Sequence, residues 1–182
     1  MDRSPEPDSA GAEPDFSDDD AVGYRGVLAC HAAGISYRQL DYWARTGLVV
    51  PSVRDASGSG TQRLYSFRDI VVLKVVKRLL DAGVSLQNIR KAIEALRSRG
   101  VADLAAITLI SDGTTVYECR SPEEVVDLLQ GGQGVFGIAV SGAMREISGT
   151  IHEFPAERAD GVEIAPMTED ELTRRRRERA TG

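Results

Sequence analysis

The sequence predicts a mixed fold in two parts: a mainly helical N-terminal module carrying one β-hairpin, and a smaller α+β unit behind it. Three observations lead there. Between Ser36 and Ser98 apolar residues recur at helical spacing, behind polar caps and ahead of glycine stops. A Gly/Ser-rich stretch flanked by short extended runs interrupts those helices at residues 51–65. Past residue 100 the chain turns acidic and β-rich around Asp112-Gly113.

The elements follow in order. Residues 1–21 combine Pro, Ser, Asp and Glu with Phe16 as their one sizeable apolar group, too little to offset ordering entropy, and are expected to be a disordered acidic tail. Gly34 separates a short apolar helix, Tyr24 to Ala33, from a second that begins at Ser36, where Ser36 and Gln39 have capping-box spacing. In that second helix Leu40, Trp43 and Ala44 share one face. Tyr37, Arg38, Asp41, Tyr42 and Arg45 spread over the other until Gly47. Ser52-Val53-Arg54 and Gln62-Arg63-Leu64-Tyr65 flank Ser57-Gly58-Ser59-Gly60 as a hairpin with a loose tip. Ser66 with Asp69 caps a helix from Phe67 to Ala82, with Ile70, Leu73, Val76 and Leu80 inward. Lys74, Lys77, Arg78 and Asp81 form its wet face. Ser85 caps a further helix, Leu86 to Ser98, with Leu86, Ile89, Ile93 and Leu96 as its apolar stripe.

In the second part, Ala106 to Ser111 and Thr114 to Cys119 read as a hairpin about Asp112-Gly113, and Ser121-Pro122-Glu123-Glu124 starts a helix that reaches Gln130. Val135 to Val140 is ambiguous. Met144, Ile147, Ile151 and Phe154 repeat at helical spacing up to Pro155. The expected parts are thus the tail at 1–21, a winged helix-turn-helix at 22–99, an α+β dimerisation or sensor unit at 101–155, and a polar tail at 156–182 expected to be disordered.

The 182 residues are 42% hydrophobic and 27% charged, enough for one modest core or two small ones. No run approaches the roughly 20 apolar residues of a membrane span, and the acidic start carries no secretory signal, so a cytoplasmic, nucleoid-associated location is expected. Two cysteines provide no disulfide framework. The net charge of −6 hides an asymmetry: residues 22–100 hold thirteen bases and five acids, a module of +8, while residues 1–21 alone hold eight acids and one base. A polyanion partner answers to the local field of that module, not to the overall pI.

The order helix, helix, basic hairpin, helix suits duplex DNA. A major groove about 12 Å wide admits one helix, so the face with Tyr37, Arg38, Tyr42 and Arg45 is the candidate to enter it. Arg38 is the candidate for a base edge, because a guanidinium fork pairs bidentately with guanine. Arg54 and Arg63 flank the hairpin tip and are expected on phosphate, which fixes register without reading sequence. Trp43 reads as core beside Leu40, and Tyr42 is open between packing and phosphate contact.

At this point the residues resemble a known family. Gly34-Ile35-Ser36, Leu40, Tyr42-Trp43, Gly47-Leu48-Val49-Val50-Pro51, Arg54, Arg63-Leu64-Tyr65-Ser66, Asp69-Ile70 and Asp81-Ala82-Gly83-Val84-Ser85-Leu86 with Ile89 are similar to the consensus of MerR-type transcription regulators. Ser111-Asp112-Gly113-Thr114 and Gly131-Gly132-Gln133-Gly134-Val135-Phe136-Gly137 further resemble the actinobacterial FtsR-like subgroup, tied to cell-division genes. The resemblance implies a homodimer on a palindromic promoter element, acting as an activator that bends and untwists promoter DNA for RNA polymerase. With Tyr42 and Trp43, Arg54, Arg63 and Tyr65 matched to the family's motifs, the expected DNA-contacting set is Tyr24 and Arg25, then Ser36, Tyr37, Arg38, Gln39, Tyr42 and Arg45, then Arg54, Arg63 and Tyr65. Asp41 and Ala44 depart from it, standing where the family usually has an arginine and a glutamate. Nothing after Arg99 looks like the long dimer helix and cysteine-bearing loop of the metal sensors. Any small-molecule effector is left unspecified.

Other chemistries are weaker. Cys30 and His31, with Cys119 and His152 elsewhere, lack Cys-x-x-Cys spacing and neighbour each other about 100° apart on a helix, so no metal is expected. Gly132 to Gly137 fits GxGxxG by letter but follows a helix and stands in no βαβ unit, so no dinucleotide cofactor is expected. Arg174 and Arg175 sit at i,i+4 from Asp170 and Glu171 and read as self-paired. No nucleophile, acid and base stand at recognisable spacing, so no enzyme is expected. Two rivals stay open: an excisionase-like protein that bends recombination sites, which genome-wide occupancy would distinguish, and an adaptor acting through the acidic C-terminal unit.

Overall fold

The computed structural model describes residues 22–58, 61–97, 99–130 and 136–166. Strand β1 (Val22–Arg25) leads into α1 (Gly26–Ala33) and α2 (Tyr37–Arg45). The helix expected from Tyr24 begins instead at Gly26, because Tyr24 and Arg25 are extended and pair with Tyr65 and Leu64 of β2 (Leu64–Tyr65). Gly34 ends α1 in the left-handed conformation, φ 73°, and its N–H returns to the Cys30 carbonyl at 2.9 Å. A side chain would be strained there, so this glycine sets the turn between the first two helices.

The hairpin expected at 51–65 is reduced to one bridge, in which Arg54 and Leu64 exchange backbone hydrogen bonds of 3.3 and 2.8 Å. Beyond it β2 swings onto β1, since Leu64 and Tyr65 are wholly buried and gain more from the core than a Gly/Ser-rich tip can return. Asp69 fixes the other arm. Its carboxylate accepts from the N–H of Ser52 (2.7 Å), the Ser52 hydroxyl (2.8 Å) and the N–H of Ser66 (3.0 Å), while Ser66 caps α3 (Phe67–Asp81). Burial pushes the Asp69 carboxyl above its ordinary pKa in spite of those bonds.

Helix α3 is buried almost all round. Ile70, Val71, Leu73, Val75, Val76 and Leu79 are inside; Leu79 is fully buried where Leu80, the expected core residue, is only partly so. Helix α3 packs on α1, on α4 (Leu86–Arg97) and on α7 (Val140–Ile151), and α1 also meets α7. Between α4 and α7 run α5 (Val101–Ala105), β3 (Thr108–Ser111), β4 (Val116–Cys119), α6 (Pro122–Gln130) and β5 (Phe136–Ala139). The Asp112-Gly113 hairpin forms as expected, and the ambiguous stretch supplies β5, antiparallel to β3, giving the order β4-β3-β5. Buried residues from Ala29 to Ile151 belong to one continuous cluster, so the composition change near residue 100 does not divide the core.

Residues 156–164, expected to begin a polar tail, instead return to the N-terminal module. Strands β6 (Ala156–Arg158) and β7 (Glu163–Ile164) extend the sheet to β2-β1-β6-β7, with Val22 opposite Arg158 and Gly23 opposite Glu157. The edge of β1 left open after β2 pairs is what recruits them. The His31 ring meets Phe154 edge-on at 5.4 Å just before this hairpin. Among the described residues no helix is long and apolar enough to cross a membrane.

A core shared by both parts has a measurable consequence. Ile147, fully buried on α7, packs into the same cluster as Leu79 of α3. Ile147→Ala is expected to cost about 2–5 kcal/mol and to lower a single calorimetric transition for the whole chain; two separate transitions would contradict the shared core.

Candidate nucleic-acid interface

Helix α2 forms because Ser36 and Gln39 cap it reciprocally: the Gln39 N–H donates to Ser36 Oγ at 3.2 Å, and Gln39 Oε1 accepts from the Ser36 N–H at 3.0 Å. Leu40 and Trp43 are buried, which turns the opposite face outward. On that face Tyr37 is 60% exposed, Tyr42 47%, and Arg38 and Arg45 lie in solvent. The far end is gripped by α4. Arg90 donates to the Thr46 carbonyl at 3.0 Å and Arg97 to that of Gly47 at 2.6 Å, cations on the negative end of the helix dipole. Sequence reading missed both; their i,i+7 spacing on one face of α4 was the available sign.

The expected contact residues divide sharply. Arg38 has no ion-pair partner among the described residues and is exposed. Arg45 leans on Asp41 at 2.9 Å, one turn back, and remains 65% exposed. Arg63 is engaged: its guanidinium donates to Asp41 at 2.9 Å and to Asp55 at 3.3 Å. That pair is the strut joining the wing to α2. The Arg63 hydrogen bond holds the Asp41 carboxyl below its ordinary pKa. Arg54 and Arg25 both meet Glu157 of β6, at 2.7 and 2.9 Å. Ser36 and Gln39 spend their side chains on the cap.

The two strand tyrosines are less open than those of α2, and Tyr65 departs from expectation. Tyr24 is partly buried against the core. Tyr65 is wholly buried, so it offers no surface to DNA, and its hydroxyl finds no hydrogen-bond partner among the described residues. The cause is register: Tyr65 pairs with Tyr24 across the short β1-β2 ladder, and both α1 and α3 pack on β2. Burial pushes its phenol pKa well up. Lys74 and Arg78, expected as a wet face, both reach Glu146 of α7, and Lys77 pairs with Asp81 within α3. They join helices.

Residues 25–96 match the model of the MerR HTH family regulatory proteins. Over 174 residues, 95% of this chain, the sequence is 70% identical to an HTH-type transcriptional regulator of Mycobacterium tuberculosis, covering 77% of that protein, and equally to one of Mycobacterium bovis. The chain belongs to the MerR family. As a MerR-family member it is a DNA-binding regulator of transcription and not an enzyme. It is also 32% identical over 83 residues, 44% of this chain and 54% of that protein, to the HTH-type transcriptional regulator HmrR of Sinorhizobium medicae. The likeness to the heavy metal-dependent transcription regulator 1 of Rhizobium meliloti, 34% over 79 residues, covers 42% of this chain and 52% of that protein. Among the described residues no group of three or more His, Cys, Asp or Glu is placed to hold a metal ion. Of the Gly131–Gly137 motif, residues 131–135 lie outside the described residues, as do Arg174 to Arg177.

Two tests follow for this MerR-family site. Tyr65→Phe removes a buried hydroxyl without a partner, so stability is expected to rise by up to about 1–3 kcal/mol with DNA affinity unchanged, read by thermal melting and a binding titration. Asp41 has a depressed pKa, so its contribution is complete above the ordinary Asp value of about 3.9 and is lost as pH falls through the lower folded value. In urea titrations the stability gap between the wild type and Asp41→Asn is therefore expected to be open at neutral pH and to close below about pH 4.

Proposed function

We propose that this regulator works as a homodimer on a palindromic promoter element, with α2 of each protomer in one of two successive major grooves. The observation that carries the reading is the contrast on that helix: Arg38 is exposed and without an ion pair among the described residues, while the wing arginines are tied to carboxylates. A side chain kept free where others are pinned is the one available for a base edge, with Tyr37, Tyr42 and Arg45 beside it for the backbone. The Asp41–Arg63 strut sets the angle between α2 and the wing, so Arg63 acts by positioning the wing.

Activation by distorting promoter DNA for RNA polymerase is proposed on the family resemblance, as is control of cell-division genes on the resemblance to the FtsR-like subgroup. The α+β part is proposed to dimerise, since it stands where other family members have a long dimer helix. Sedimentation of the whole chain, free and on a retained genomic fragment, tests the stoichiometry; one protomer per fragment would refute the dimer.

Titration against genomic fragments at two salt concentrations tests the interface. Arg38→Ala is expected to cost about 1–3 kcal/mol on the preferred fragment and to relax preference at one base position, with random duplex little affected. Equal loss on both duplexes would remove Arg38 from base reading.

A further inference from the structure

The last two strands bring a carboxylate to the edge of the DNA-binding face. Because β6 pairs with β1 through Val22 opposite Arg158 and Gly23 opposite Glu157, Glu157 comes within reach of both Arg25 and the arm of the wing. Its Oε2 accepts from Arg25 Nε at 2.9 Å and its Oε1 from Arg54 Nη2 at 2.7 Å, and its side chain is only 9% exposed. Arg54 is engaged at all three nitrogens, since Nε donates to the Gln62 carbonyl at 3.2 Å and Nη1 to that of Ala159 at 3.4 Å. Arg25 uses Nε alone among the described contacts and keeps half its side chain in solvent.

Arg25 also borders the recognition surface. A Cβ built on the adjacent Gly26 would lie 3.2 Å from the Tyr37 ring, which places the start of α1 against the exposed face of α2. The hairpin that delivers Glu157 is itself acidic, with Glu157, Asp160 and Glu163 against Arg158. A phosphate approaching Arg25 or Arg54 therefore meets a carboxylate already seated on the same donors, inside a segment whose charge repels it.

We propose that Glu157 limits sequence-independent binding: its carboxylate takes the place of a DNA phosphate on Arg25 and Arg54 and withholds both arginines from the duplex backbone. Phosphate contacts supply nearly all non-specific affinity, each steepening the dependence of log K on log salt by about 0.9. Base contacts made by α2 are untouched by the clamp. Withdrawing two arginines thus lowers affinity for every duplex, random or preferred, and leaves discrimination to the base contacts of α2. The inference rests on the assignment of α2 as the reading helix.

The test uses the full chain, a random-sequence duplex and the genomic fragment retained most tightly by the wild type, with anisotropy titrations over a range of salt. Glu157→Gln is expected to bind random duplex roughly five- to tenfold more tightly at about 0.1 M salt, with a slope steeper by about one to two, and to tighten on the genomic fragment by a similar factor. A merely structural role would weaken binding instead, so unchanged or weaker random binding by folded Glu157→Gln overturns the proposal. Arg25→Ala decides the matter if that variant does not fold. With Glu157 in place it is expected to leave the salt slope within a few tenths, whereas loss of a full unit of slope would show Arg25 already on phosphate. Arg38→Ala in the same titrations separates the two readings, because loss of base discrimination depends on α2 and the slope change depends on Glu157.

Discussion

The fold depends on the burial of α3. A fifteen-residue helix with apolar side chains nearly all round cannot lie on the surface of a module this small, so it needs cover on both sides. Helices α1, α4 and α7 all pack on it. The α+β part is therefore one piece of the wall around the helix that carries the wing's anchor at Ser66 and Asp69. The path from that shared core to the DNA face is short: Asp69 holds Ser52, the wing arm reaches Arg63, and Arg63 reaches Asp41 on α2.

Electrostatics trims the positive charge that the same architecture presents. The formal +8 of residues 22–100 overstates what a duplex meets. Asp41 and Asp55 hold Arg63, Glu157 holds Arg25 and Arg54, and Glu146 holds Lys74 and Arg78. Two of those four carboxylates, Glu146 and Glu157, come from beyond residue 100, so the acidic half of the chain neutralises the basic half at named contacts. Surface pairs such as Lys74 with Glu146 are each worth little for stability, and the buried Glu157 carboxylate offsets its own desolvation cost. Their effect lies in where they leave cations: on the outer face of α2 and away from its flanks.

Much of this was legible in the sequence, for local reasons. The Ser36/Gln39 and Ser66/Asp69 caps, the stop at Gly34 and the Asp112-Gly113 turn are short-range signals read by neighbouring backbone, and each appears where its residues stand. What escaped was long-range. Glu157 lies 132 residues from Arg25, and nothing in Ala156-Glu157-Arg158 distinguishes a strand that closes a sheet edge from a polar tail. Tyr65 was misplaced for a related reason. A two-residue strand has no periodicity to say which way its side chains face, and the pairing with β1 decided it. Lys74 and Arg78 looked solvated because their partner, Glu146, sits on a helix whose docking no local pattern announces.

These pairings bear on why two protomers suit the proposed mode of action. A monomer whose flanking arginines are engaged offers few phosphate contacts, and each contact withheld flattens the salt dependence and reduces affinity at physiological ionic strength. A single half-site is then weak by construction, on random and preferred DNA alike. Joining two reading helices makes the second engagement intramolecular, so affinity returns only where both half-sites are present at the correct spacing. Weak backbone attraction combined with paired base reading rejects isolated half-sites, which a strongly cationic monomer would occupy throughout a genome.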